Sequence, residues 1–144
     1  MSEQLLKAII HLLAIVAKED DVTEDERNAI EDFLLENLSK DESIKYMQLF
    51  DQMTIHMSGD REVSFDEQKE IKILSRQVNQ ELTQQQKIVV ILKVLEVIMA
   101  DGEISTRELE LLHIIGESFN FSTKAVDHIK SFVITKERSQ LNAE

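Results

Sequence analysis

From Leu5 to Val133 apolar residues recur at intervals of three and four, interrupted by no proline and only three glycines. A strand alternates with period two, whereas a helix returns to the same face about every 3.6 residues, so this spacing favours helices throughout. Seven are expected, over about 2–18, 23–38, 40–57, 64–80, 83–100, 105–120 and 122–138. Most carry one apolar stripe suited to packing on a core, such as Ile71, Leu74 and Val78, or Leu112, Ile115 and Phe119, or Val126, Ile129 and Phe132/Val133. The first and fifth are apolar almost all round, through Leu5–Val16 and Ile88–Met99, as centrally buried helices are. The β-branched fifth segment is too long for a strand and carries Lys93 and Glu96 at helical spacing. The expected fold is all-α, a seven-helix bundle of two related halves around two central apolar helices.

Length and charge narrow the function classes. A chain of 144 residues suits one domain, here 1–135, with the polar 136–144 left as a tail or linker. A net charge of −12 argues against nucleic acid, whose phosphates need clustered lysine and arginine, and favours cations or a protein partner with a basic surface. The absence of cysteine excludes disulfides, thiolate zinc sites and a cysteine nucleophile. Leu5–Ala17 falls short of the roughly 20 apolar residues that span a bilayer, and Lys7 and His11 interrupt it. It also lacks the basic flank and cleavage site of a signal peptide, so direct membrane insertion is not expected and the cytoplasm is the expected location.

An acidic pattern recurs at three of the helix starts. Glu19–Glu26, Asp60–Glu67 and Ala100–Glu108 share an acid, two variable residues, a β-branched apolar residue, Ser/Thr and a glutamate three residues on. The β-branched positions are Val22, Val63 and Ile104, spaced by 41 both times. Thr23-x-x-Glu26, Ser64-x-x-Glu67 and Ser105-x-x-Glu108 are capping boxes, in which hydroxyl and carboxylate each satisfy an orphan backbone N–H. Acids in a first turn also favour the helix dipole by about 0.3–1 kcal/mol each. The apolar residue before each cap can pack on the core, Ile104 against Leu109, and Gly102 can supply the positive φ of a tight turn. For the second cassette, similar helix lengths are a sufficient origin of the equal spacing.

Capping leaves Asp101, Glu103, Glu19 and Asp21 unaccounted for. Asp101-Gly102-x-Ile104-x-x-x-Glu108 follows the second half of an EF-hand calcium loop. The first two ligand positions would be Val97 and Met99, which carry no side-chain oxygen, so a complete EF-hand is excluded. The corresponding residues are Ile15 and Ala17 in the first cassette and His56 and Ser58 in the second. A half-loop can still hold a hard cation through Asp101, Glu103 and Glu108 with carbonyls and water, more tightly if a second cassette converges on it.

Ala100-Asp101-Gly102-x-Ile104-Ser105-x-x-Glu108, following an apolar helix in an acidic all-helical chain of this length, resembles the tellurite-resistance TerB-like family. Lys18-Glu19-Asp20-Asp21-Val22-Thr23-x-x-Glu26 is its weaker first-half counterpart. The resemblance implies a compact helical bundle of two related halves, a link to stress responses, and divalent cations at the acidic positions. It also implies a role alone or as the regulatory part of a larger bacterial protein, including co-chaperone and ATPase fusions. Asp101, Gly102, Ile104 and Glu108 match the motif, then Glu19, Val22 and Glu26. Glu19-Asp20 stands where the family has Asp-Gly, which weakens the case for a symmetric pair of sites. The expected metal set is therefore Asp101, Glu103 and Glu108, with Glu19, Asp21 and Glu26 second, and Ca²⁺ or Mg²⁺ ahead of Zn²⁺.

Other motifs are poorer. Glu110-x-x-His113 matches half of a di-iron motif, but no second Glu-x-x-His exists. No phosphate loop, nucleophile elbow or His-Glu-x-x-His is present. Met47, Met53 and Met57 read as a core stripe, and Gly116 inside the sixth helix points to close approach of a neighbour. The expectation is a non-enzymatic, cation-responsive or partner-binding module. The alternatives are a plain acidic interaction bundle without a metal, and a metal-dependent hydrolase that lacks an evident base or nucleophile.

Overall fold

The computed structural model describes residues 2–17, 22–55, 63–100, 102 and 104–142. Seven helices follow in order: α1 (Glu3–Ala17), α2 (Glu24–Asn37), α3 (Lys40–Ile55), α4 (Phe65–Glu81), α5 (Gln84–Met99), α6 (Thr106–Ser118) and α7 (Thr123–Asn142). The all-α expectation holds, and the helix starts fall within two residues of those read from the caps. α7 departs at its other end. It runs through most of the stretch expected to be a polar tail, because polarity alone does not stop a helix that meets neither proline nor glycine.

α1 is the centre of the molecule. Nearly every residue from Leu5 to Ala17 is buried, and the helix packs on α3, α4 and α5. α5 packs on α1, α2, α6 and α7, but Val89 and Glu96 keep one side of it at the surface. It is therefore less enclosed than its composition suggests. Phe119 is fully buried as its stripe requires, whereas Phe132 is exposed, leaving Ile129 and Val133 to hold α7 on the core.

Side-chain contacts fix the helix directions. Ser2 and Glu81 meet at 2.8 Å while His11 and Glu70 meet at 2.8 Å, so α1 and α4 are antiparallel. Arg107 reaches Glu67 near the starts of α6 and α4, and Asn79 Nδ2 donates to the Ser118 carbonyl at 2.9 Å near their ends. α4 and α6 therefore run parallel. The α2–α3 pair is an antiparallel hairpin joined by Arg27 and Asp51, and α6–α7 is another joined by His113 and Asp127. α5 is tied to α2 where Lys93 lies 3.3 Å from Glu36 and over the Phe33 ring. Burial pulls the Lys93 ammonium down, but Glu96 and Glu36 outweigh it and hold its pKa above the usual lysine range.

Gly116 plays the part expected of it. A Cβ there would lie 2.3 Å from Val126 Cγ2, well inside contact distance, so α6 and α7 approach closely only because position 116 has no side chain. Four residues later Asn120 takes φ 68°, and the Phe121 N–H reaches back to the Gly116 carbonyl at 2.9 Å. That closes α6 with a Schellman turn in which asparagine stands where glycine is commonest.

Candidate functional site

The three acidic helix starts share one local geometry. Thr23, Ser64 and Ser105 sit at N-cap positions with φ between −78° and −71° and ψ between 159° and 162°. Glu26 N–H donates to Thr23 Oγ1 at 3.1 Å, Glu67 N–H to Ser64 Oγ at 3.1 Å, and Glu108 N–H to Ser105 Oγ at 3.0 Å. In return the N-cap N–H donates to the glutamate Oε1, at 3.1, 3.3 and 3.0 Å respectively. All three glutamates are buried. Each reaches back over the first turn to its own cap.

A fourth box opens α5, and it is made without an acid. The Gln86 N–H donates to Thr83 Oγ1 at 3.2 Å, and Gln86 Oε1 accepts from the Thr83 N–H at 2.9 Å. Thr83-x-x-Gln86 is visible in the sequence as the neutral form of the same motif.

The cassettes differ in what surrounds the cap. Val63, before the second, is only 9% exposed, whereas Ile104, before the third, is 37% exposed. Packing of the β-branched residue on the core is thus weakest in the cassette whose sequence pattern is most complete. Gly102 has φ 85°, as expected for the turn, and open space where a Cβ would be.

The glutamate of the second cassette reaches beyond its own cap. Glu67 accepts a two-pronged contact from Arg107, Nη1 to Oε1 at 3.2 Å and Nη2 to Oε2 at 2.6 Å, with the guanidinium side chain only 1% exposed. Arg107 belongs to the third cassette, so cassettes two and three are joined directly. Sequence reading passed over this pair. Its one local signal is a cation in the first turn of α6, where the helix dipole disfavours positive charge unless a carboxylate compensates.

Of the expected metal ligands, Glu108 and Glu26 are buried members of their capping boxes. Asp101, Glu103, Glu19 and Asp21 lie outside the described residues. Among the described residues no three His, Asp or Glu side chains come together as a metal group would. His113 Nε2 instead lies 2.7 Å from Asp127 Oδ1 on α7, tying the two helices, while Glu110 is exposed. The hydrogen bond from His113 holds the Asp127 carboxyl below the usual carboxylate range. Among the described residues no helix is long and apolar enough to cross a membrane.

Comparison with known proteins gives one positive result. The family model described as "Tellurite resistance protein TerB" matches residues 6–131, which take in all three cassettes and the body of the bundle. No curated protein and no solved structure matches the chain.

Proposed function

This chain belongs to the TerB family, and from that membership we propose a non-enzymatic cytoplasmic module whose acidic α5–α6 turn holds a divalent cation and tunes the docking of a protein partner. The ligands in this reading are Asp101, Glu103 and Glu108, with Glu19, Asp21 and Glu26 at the α1–α2 turn as the weaker set. Hard oxygen donors of this kind suit Ca²⁺ or Mg²⁺ better than Zn²⁺.

One observation carries the reading. Gln86 closes a box of the same form at Thr83, so capping does not require the carboxylate at position 108 or 26. A glutamate there supplies charge that the cap itself does not need. At the α5–α6 turn that glutamate follows, six residues on in the sequence, a glycine in the left-handed region with an acid on either side, and hard-cation loops are built from such parts.

The same comparison supplies a clean test. Glu108→Gln removes the charge and keeps a box-competent side chain, and Asp101→Asn does the like in the turn. With millimolar Ca²⁺ or Mg²⁺ at fixed ionic strength, the wild-type unfolding midpoint should rise by a few degrees, as ligand excess over Kd stabilises the native state by roughly 1–3 kcal/mol. The double variant should lose most of that shift. No shift in the wild type, or an equal shift in the variant, overturns the cation site. The buried positions of Glu26 and Glu108 favour the second reading in that event, an acidic interaction bundle whose glutamates serve only the helix starts.

A further inference from the structure

Away from the cassettes, the outer side of the α2–α3 hairpin carries an apolar groove of about 450 Å³. Its floor is Met47 and Ser43, both buried, and the Ser43 hydroxyl makes no hydrogen bond. Its walls are Leu35 from α2 and Ile44 from α3, 46% and 51% exposed, two of the few large apolar side chains left at the surface. Arg27 and Glu31 border it on α2, Lys40 and Gln48 on α3. The volume is within the range of cavities that hold ligands, and the lining is mainly aliphatic.

Charge identifies the occupant. Residues 24–55 hold nine carboxylates and three basic side chains, so the hairpin carries half of the chain's net charge of −12 in less than a quarter of its length. Of those bases Arg27 is held by Asp51 and Glu31 and Lys45 by Glu3, while Lys40 stands at the border of the groove. A second copy of this chain would bring the same negative surface against it. The groove also lies between two helices with no strand edge to extend, so its complement in shape is the ridge of another helix. From Arg27 to Leu35 it spans about two turns, roughly 12 Å at 1.5 Å per residue.

We infer that this groove is the docking site for a basic amphipathic helix of a partner protein, with its aliphatic ridge on Leu35, Ile44 and Met47 and its lysines or arginines over the hairpin's acids. The inference rests on the partner-binding half of the function proposed above and not on cation binding.

The probe is a synthetic helix of about twenty residues with leucines at i, i+3, i+4 and i+7 and lysines elsewhere, added to the full chain in EDTA. Affinity is followed by fluorescence anisotropy, and the contact face by backbone amide NMR shifts. Binding should move the amides around Leu35, Ile44 and Met47, and Leu35→Glu or Ile44→Glu should each weaken it by about ten-fold or more. Those variants add negative charge, so mere electrostatic sticking predicts equal or tighter binding, and that result overturns the site. Ile73→Glu, the same change at an exposed position on α4, should leave affinity within about two-fold. Leu35→Ser and Ile44→Ser, checked by their unfolding midpoints, repeat the test without adding charge, and they too should weaken binding. Absence of binding, shifts confined to another face, or probe-free dimerisation through positions 35 and 44 each overturns the proposal. Loss of cation-induced stabilisation with probe binding intact would strike the cation reading and leave this one standing.

Discussion

The bundle has a closed side and an open side, and they differ in how neighbouring helices are joined. On the closed side α4 and α6 are clamped near both ends, by the Glu67–Arg107 fork and by Asn79 on the Ser118 carbonyl. α6 then meets α7 across Gly116 with no room for a methyl group. On the open side α2 and α3 share one half-exposed ion pair, Arg27–Asp51, and leave a groove with Leu35 and Ile44 uncovered. Both sides are made of amphipathic helices with apolar stripes of similar kind. Buried polar contacts and a missing side chain close one side, while the other is left with apolar area to spare.

The contrast is broken most directly at Arg107. Arg107→Ala takes the two-pronged partner from the buried Glu67 carboxylate, and loss of one partner from a buried ion pair costs about 3–5 kcal/mol. Denaturant unfolding should show a loss of that size, and Glu67→Leu/Arg107→Met, which removes both charges, should restore most of it. A loss under about 1 kcal/mol for Arg107→Ala would mean that the fork does not hold the closed side together.

That pair also marks where sequence reading stopped. Helix starts were legible because the cap is local, a hydroxyl and a carboxylate three residues apart, and the core because its period is local too. Gly102 and Gly116 were read correctly for the same reason. The fork joins residues 40 apart, and nothing within either segment encodes its partner. The helix directions were hidden likewise, as was the exposure of Ile104, which follows from how α6 seats on its neighbours rather than from its own pattern. The candidate cation ligands are legible as a motif. Of the six, Glu26 and Glu108 prove to be cap carboxylates, and the other four fall outside the described residues.

Gly116→Ala tests the closed side at its tightest point. The methyl group would strike Val126, a buried β-branched side chain with little freedom to turn aside, so the change should destabilise by about 1–3 kcal/mol although alanine is the better helix former. Stabilisation by glycine-to-alanine propensity alone would show that the α6–α7 contact yields. On the open side Arg27→Ala should cost only about 0.2–1 kcal/mol, because both partners of that ion pair are more than 40% exposed. A cost matching that of Arg107→Ala would erase the distinction between the two sides.

The parallel course of α4 and α6 has a consequence for the order of folding. Neighbours that run the same way cannot form as a hairpin; α5 must first carry the chain back across the length of the bundle. Contacts between residues 40 apart also bear a larger loop-closure cost than those within the α2–α3 or α6–α7 hairpins. The fork is then a late contact, a latch set after the barrier has been crossed. In stopped-flow measurements Arg107→Ala should raise the unfolding rate and leave the refolding rate almost unchanged.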